Sequence, residues 1–270
     1  MHFFTLLCCG IMMNTYVAKT IRPASPIAVQ VREATAAYRN TLNKKNHPVS
    51  PQDMVDVASE IPTIILDLKY ATDDNFTGKA VYAQARCFLR RAVVEKLKKV
   101  QAALQKQGLG LKIWDGYRPY SVQQIFWDRC PDDRYVGDPA KGSKHNRGAA
   151  IDLTLINLAT KAELPMPSAF DDFTSKAHRT YHTMAPEAAK NCKLLEDLMV
   201  ANGFKPFEKE WWHYNDNAWE SYPLLDISFE ELATAVAPKR DVQTKDLGAQ
   251  TFVPASDASL AASRPYTKKP

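Results

Sequence analysis

The sequence predicts an α+β fold, a central, largely antiparallel sheet flanked by helices. Three observations carry this. Two segments, Phe88 to Gln107 and Pro186 to Ala201, place apolar residues at three- and four-residue steps, the period of an amphipathic helix. Shorter runs, "LKIW", Ile151 to Leu155 and "FEKEWWHY", alternate or are rich in aromatics, as strands are. The two kinds do not succeed one another as regular β-α-β units, which argues against a doubly wound parallel sheet.

In chain order, Phe3 to Met13 is an apolar run of 11 residues, too short to span a membrane. It suits the apolar region of a secretory signal, although no Lys or Arg precedes it. Residues 1–19 are therefore expected to be signal-like and the protein exported, with a cytoplasmic location as the alternative. Residues 20–60 mix Pro, Ser, Asn and charges around one helix-like patch, Val29 to Leu42, and read as a leader or linker. The folded domain is expected over 61–236. It opens on "IPTIILDLKYAT", a β-rich run, and "DDNFTG", a turn. The helix from Phe88 is stopped by Gly108 and Gly110. "LKIW" follows as a strand, "DGYRP" as a turn, and Ser121 to Asp128 as a short helix. Residues 131–144 are polar and glycine-broken, a loop before the strand at Ile151. Pro186 suits the first turn of the second long helix, and Gly203 ends it. "ISFEEL" is a brief last element. The tail, 237–270, turns to Ala, Ser, Lys, Pro and Asp and is expected to be disordered.

The 270 residues suffice for a sizeable core without disulfides. Net charge is +5, and the tail holds six Lys/Arg against three Asp, so the domain itself is near neutral. No basic stripe argues for nucleic acid. Five cysteines contain no C-x-x-C pair, which argues against a cysteine zinc knuckle. Cys87, Cys130 and Cys192 are expected to be small buried hydrophobes.

Three short stretches could carry chemistry. "SKHNRGAAIDLTL" holds His145 in a loop and Asp152 in a strand, with Gly148 between them to let the chain turn. Ile151, Leu153 and Leu155 share one face, so Asp152 points away from that apolar row. Imidazole nitrogen and carboxylate oxygen are both good zinc ligands. "EWWHY" holds Glu210 and His213, a candidate general base and a third ligand. Residues three apart lie on opposite faces of a flat strand, so a twist, a bulge or a strand end must bring them together. "WDGYRPY" holds Arg118, restricted to extended conformations by Pro119. Such an arginine could stabilise an oxyanion. Alone, each stretch also reads as an ordinary loop, strand or turn. His178 and His182, four apart in "HRTYH", would face one way on a helix. No H-E-x-x-H accompanies them, so a base is missing and they rank as a helix surface near the cleft.

Together these stretches resemble the zinc D-alanyl-D-alanine dipeptidases known from vancomycin-resistance systems. The match runs from Leu66 to Leu232 through "KYATDDNFTG", "IWDGYRP", "SKHNRGAAIDLTL", "FDDF" and "EWWHY". The resemblance implies one Zn²⁺ per chain, held by His145, Asp152 and His213. It implies Glu210 as catalytic base and Arg118 as transition-state stabiliser. Tyr70 and Asp171 match residues that engage the substrate's free amine, and Ser143 matches a serine lining the pocket. The implied fold is that shared by zinc D,D-carboxypeptidases and the hedgehog signalling domain.

The expected reaction is hydrolysis of a small D,D-dipeptide, D-alanyl-D-alanine, by zinc-activated water. The alternatives are a D,D-carboxypeptidase acting on peptidoglycan stem peptides and a non-catalytic zinc-holding module that binds cell-wall fragments. No nucleic-acid partner and no membrane span are expected. Oligomeric state is not legible.

Overall fold

A computed structural model describes residues 25–44 and 47–236. The signal-like segment at 1–19, the first residues of the leader and the tail at 237–270 lie outside the described residues.

Helix α1, Pro26–Leu42, starts where a capping serine and a first-turn proline coincide. The Ser25 hydroxyl accepts the Ala28 N–H at 3.3 Å, satisfying one orphan donor of the first turn. The chain continues through β1 (Met54–Asp56), α2 (Val57–Glu60), β2 (Ile65–Leu66), β3 (Phe88–Arg90) and α3 (Arg91–Gln105). Next come β4 (Leu109–Asp115), α4 (Tyr120–Arg129), β5 (Ala150–Asn157) and α5 (Pro186–Ala201), then β6 (Phe204–Phe207), β7 (Glu210–Asp216) and α6 (Phe229–Val236). Five strands form the main sheet in the order β2-β4-β5-β7-β6, and β1 pairs with β3 in a second, two-stranded sheet. Only β2 and β4 run parallel, and the other three pairings of the main sheet are antiparallel. The α+β expectation therefore holds.

The core lies between the main sheet and two helices. Leu111 and Ile113 of β4 and Leu153 and Leu155 of β5 meet Val93, Leu97, Val100 and Leu104 of α3 and Leu195 and Met199 of α5. Each such side chain, fully buried, stabilises the fold by about 1.5–3 kcal/mol. With this row turned to the helices, the alternation of β5 sends Asp152 to the other face of the sheet. A second cluster joins Tyr70, Tyr82, Tyr117 and Phe126 to Phe229 and Leu232 of α6.

Four expectations need correction. The stretch from 20 to 60 is not a linker throughout. Tyr38 of α1 is buried and its hydroxyl accepts the Met54 N–H at 2.7 Å, while Thr35 accepts the Asp226 N–H at 2.8 Å. β1 is itself a paired strand, so the folded body begins well before Ile61. The β-rich reading of residues 61–72 shrinks to the two residues of β2, followed by a 3-10 turn at Lys69–Ala71. The periodic run from Phe88 begins as a strand and becomes a helix only at Arg91, because Phe88–Arg90 pairs with β1. "HRTYH" is not helical: a 3-10 turn ends at Ala177, and His178 to His182 run through turns. Cys87 and Cys192 are buried, as expected of small buried hydrophobes, whereas Cys130 is only half-buried; all three are free thiols. Among the described residues no helix is long and apolar enough to cross a membrane.

Candidate metal centre and its cleft

His145, Asp152 and His213 reach one point from three elements. His145 opens a 3-10 turn, His145–Arg147, that closes on Gly148 at φ +65°. Glycine suits that position because the backbone is left-handed, and a Cβ would also stand 2.6 Å from the Met54 sulfur, forcing that side chain to shift. The turn delivers the chain into β5, where Asp152 pairs in register with His213 of β7. His145 Nε2 lies 3.2 Å from His213 Nδ1 and 3.5 Å from Asp152 Oδ2. His213 Nδ1 lies 2.9 Å from Asp152 Oδ1. All three residues are almost wholly buried.

The outer nitrogens fix what the inner ones offer. His145 Nδ1 sits 2.7 Å from the Gly116 carbonyl, which can only accept, so Nδ1 carries the hydrogen and Nε2 presents a lone pair. Gly116 cannot be replaced cheaply, because a Cβ there would meet the Cys87 sulfur at 2.6 Å. His213 Nε2 sits 2.9 Å from Asn215 Oδ1, which holds the ring with Nδ1 turned inward; burial works against charge on this imidazole, but Asp152 raises it above its ordinary value. Two imidazole nitrogens and a carboxylate thus converge on one point, their ligand atoms all within 4.8 Å of one another. Their spacing suits a cation: ligands about 2.0–2.1 Å from a tetrahedral zinc stand about 3.3 Å apart. Among the described residues this is the group of three that could hold a metal ion. Burial pushes the Asp152 carboxyl up, but the two imidazoles outweigh it and hold Asp152 below the usual carboxylate range.

Glu210 meets the geometric requirement set by its spacing from His213. It opens β7 opposite Phe207, and the register of the β6–β7 pair slips between Pro206 and Phe207. This irregularity brings Glu210 Oε2 to 3.7 Å from His213 Nδ1. Burial raises the Glu210 carboxyl, to about 7, against the lowering effect of His213.

The same cavity, about 270 Å³, is lined by Arg118, Tyr70, Asp171 and Ser143. Arg118 is not a solvated turn residue. Asp115 accepts from Nη2 at 2.7 Å and from Nε at 3.2 Å, and Gln123 accepts from Nη1 at 2.9 Å. The guanidinium carbon stands 4.4 Å from the centre of the Phe126 ring. Burial works against its charge, but Asp115 more than compensates and keeps it protonated. The Tyr70 hydroxyl donates to Asp171 at 2.9 Å. Burial, with the negative charges of Asp152 and Glu210, lifts the Asp171 carboxyl well above its usual range despite that bond. Asp171 also occupies the left-handed region, at φ +57°, a conformation that Asp tolerates better than most residues. The Ser143 hydroxyl accepts the His145 N–H at 3.2 Å and so steadies the ligand turn.

All eight residues singled out in the sequence therefore meet in or around one cleft, whereas His178 and His182 are not among its lining residues. Sequence reasoning missed the supports. Asp115 lies in the quoted "WDGYRPY", three residues before its arginine, and Asn215 lies two after His213. A turn motif with an acid beside an arginine was the available signal for Asp115. Gln123 gave none, because its role depends on how α4 packs.

The sequence model of the family described as D-ala-D-ala dipeptidase matches residues 50–228. The D-alanyl-D-alanine dipeptidase of Escherichia coli is 41% identical over 177 residues, covering 66% of this chain and 91% of that protein. The D-alanyl-D-alanine dipeptidase of Enterococcus faecalis is 37% identical over 168 residues, covering 55% of this chain and 83% of that protein. A solved vancomycin-resistance D,D-pentapeptidase in complex with Zn(II) aligns at 15% identity and a TM-score of 0.33, over 52% of this chain and 78% of that one. That likeness is too low to bear on the site. The family match spans most of the described fold, from the loop before β1 to the turn before α6, and the chain belongs to the D-alanyl-D-alanine dipeptidase family.

Proposed function

We propose that this protein is a zinc-dependent hydrolase of D-alanyl-D-alanine. One observation carries the reading: ligand atoms of His145, Asp152 and His213 converge within 4.8 Å of one another, with the Glu210 carboxyl 3.7 Å from His213 Nδ1. A zinc ion held there, one per chain, would supply Lewis acidity, polarising a carbonyl oxygen and bringing the pKa of a water toward about 7.

Glu210 is the base in this reading. A carboxyl raised to about 7 can take a proton from water and give it up again to the departing amine near neutral pH. Arg118 faces the developing oxyanion. Its partners Asp115 and Gln123 hold it before substrate arrives, so no reorganisation is needed in the transition state. Asp171 and Tyr70 receive the substrate's ammonium. A buried carboxyl surrounded by other negative charges gains more from a cation than an exposed one does. That preference favours a free dipeptide over an N-acylated stem peptide, and dipeptidase is also what the relatives above are named.

The test is release of D-alanine from D-Ala-D-Ala, with and without a chelator, beside the same assay on N-acetyl-D-Ala-D-Ala. The reading expects chelator-sensitive turnover of the free dipeptide alone. Equal turnover of both substrates would replace it with a D,D-carboxypeptidase. Zinc bound at one per chain with no turnover of either would replace it with a binding module.

A further inference from the structure

The segment "HRTYH" offers no ligand pair, but it contains Arg179, whose side chain is nearly sealed from solvent. A guanidinium has five N–H donors, and here every one has an acceptor. Nε donates to the Phe207 carbonyl at 2.8 Å. Nη2 donates to the carbonyls of Trp211 at 2.8 Å and His213 at 3.1 Å. Nη1 donates to Glu196 at 2.8 Å and to the Tyr214 hydroxyl at 3.1 Å. The guanidinium carbon stands 4.4 Å from the centre of the Tyr214 ring, and the Arg179 backbone N–H donates to the Glu208 carbonyl at 2.9 Å.

Three of these acceptors are backbone carbonyls on the two strands of the hairpin that carries Glu210 and His213. The hairpin has a particular need for outside donors. Pro206 brings no N–H to the ladder, and the pairing slips beside it, between Pro206 and Phe207. The slip puts Glu210 near His213, and it also disrupts the ladder that would otherwise hold both strands. A planar fork can bind several acceptors at once, whereas a lysine ammonium presents its donors from a single point.

We propose that Arg179 is a positioning residue of this site, tying Phe207, Trp211 and His213 together so that Glu210 and His213 stand correctly relative to Asp152. It touches neither substrate nor reacting atoms. The proposal rests on the hydrolytic reading above and extends it.

The experiment compares wild type, Arg179→Lys and Glu196→Gln in the full chain. For each, foldedness is followed by circular dichroism, kcat and KM on D-Ala-D-Ala by D-alanine release, and zinc affinity by competition with a chelating dye. Arg179→Lys is expected to fold, to lose about 10- to 100-fold in kcat, to keep KM within about threefold and to bind zinc about tenfold more weakly. Glu196→Gln keeps an acceptor for Nη1 and removes only a charge at the outer end of the fork, and should leave kcat and zinc affinity within about twofold. A Lys variant that matches wild type in both kcat and zinc affinity overturns the proposal, even if its Tm falls. If the Lys variant does not fold, Arg179→Ala is titrated with guanidinium ion. Saturable recovery of zinc affinity that equal ammonium does not give supports the proposal, and no recovery overturns it. If wild type does not cleave the dipeptide, the hydrolytic reading falls, while the zinc titrations still decide the role of Arg179.

Discussion

On the proposed roles, Asp171 sets function against stability at the scale of one residue. Burial and neighbouring negative charge raise its carboxyl well above the usual value. In the window between the unfolded and folded pKa values, the folded chain binds more protons than the unfolded one. Stability therefore falls as pH rises through that window. Asp171→Asn removes the buried charge, so the metal-free variant should gain in Tm over wild type as pH rises from about 4 toward neutrality. The same change should raise KM for the dipeptide, because the ammonium loses its counter-charge. A Tm difference that does not change with pH would contradict the assignment. On the proposed roles, Glu210→Ala should lose most of the rate while still binding zinc, and Arg118→Ala should cost about 100- to 1,000-fold in kcat. Both are read from steady-state kinetics with zinc content measured in parallel. At this scale the sequence was legible through combination: His145, Asp152, Glu210 and His213 are ligand and base types in short stretches that each read alone as an ordinary loop or strand, and the family resemblance joined them into one site. The supports were less so. Asp115 and Asn215 act through side-chain directions that sequence order does not encode.

At the scale of elements, α1 is the informative case. Its patterning from Val29 to Leu42 was visible, but its attachment was not, because the contacts that hold it reach residues far along the chain. Arg39 pairs with Glu231 of α6, and Thr35 meets Asp226. The Arg39–Glu231 pair is substantially exposed, and such pairs contribute about 0–1 kcal/mol. The Tyr38 hydroxyl, in contrast, satisfies the N–H of Met54, which is buried. Tyr38→Phe should therefore destabilise by about 1–3 kcal/mol, more than Arg39→Ala, as measured by urea unfolding. The reverse order would show that α1 is held mainly by its exposed ion pair. Long helices such as α3 and α5 were placed within a few residues because periodicity over four turns is a strong signal. The spacing of Glu210 and His213 required a twist, a bulge or a strand end, and the structure has a slip in the β6–β7 pairing where β7 begins. Its location was not legible, since Pro206 alone does not say where a partner strand shifts.

For the whole molecule, the sheet, the two core helices and the α1–α6 flank form one scaffold whose open face carries the cleft. Every inward ligand atom of the candidate metal centre belongs to a paired strand or to the turn feeding one. Zinc binding should therefore stabilise the entire fold and not merely a loop. Zinc in about 100-fold excess over its Kd should add about 2.7 kcal/mol, seen as a rise in Tm that a chelator reverses. The order of the sheet could not be read from the sequence, because strand neighbours such as β2 and β4 are brought together by packing across intervening elements. The most direct measurement for the account as a whole is D-alanine release from D-Ala-D-Ala by chelator-stripped protein as zinc is returned. Turnover should start near zero, rise with added zinc and level off at one ion per chain. Activity indifferent to stripping, or no turnover at any zinc level, would contradict it.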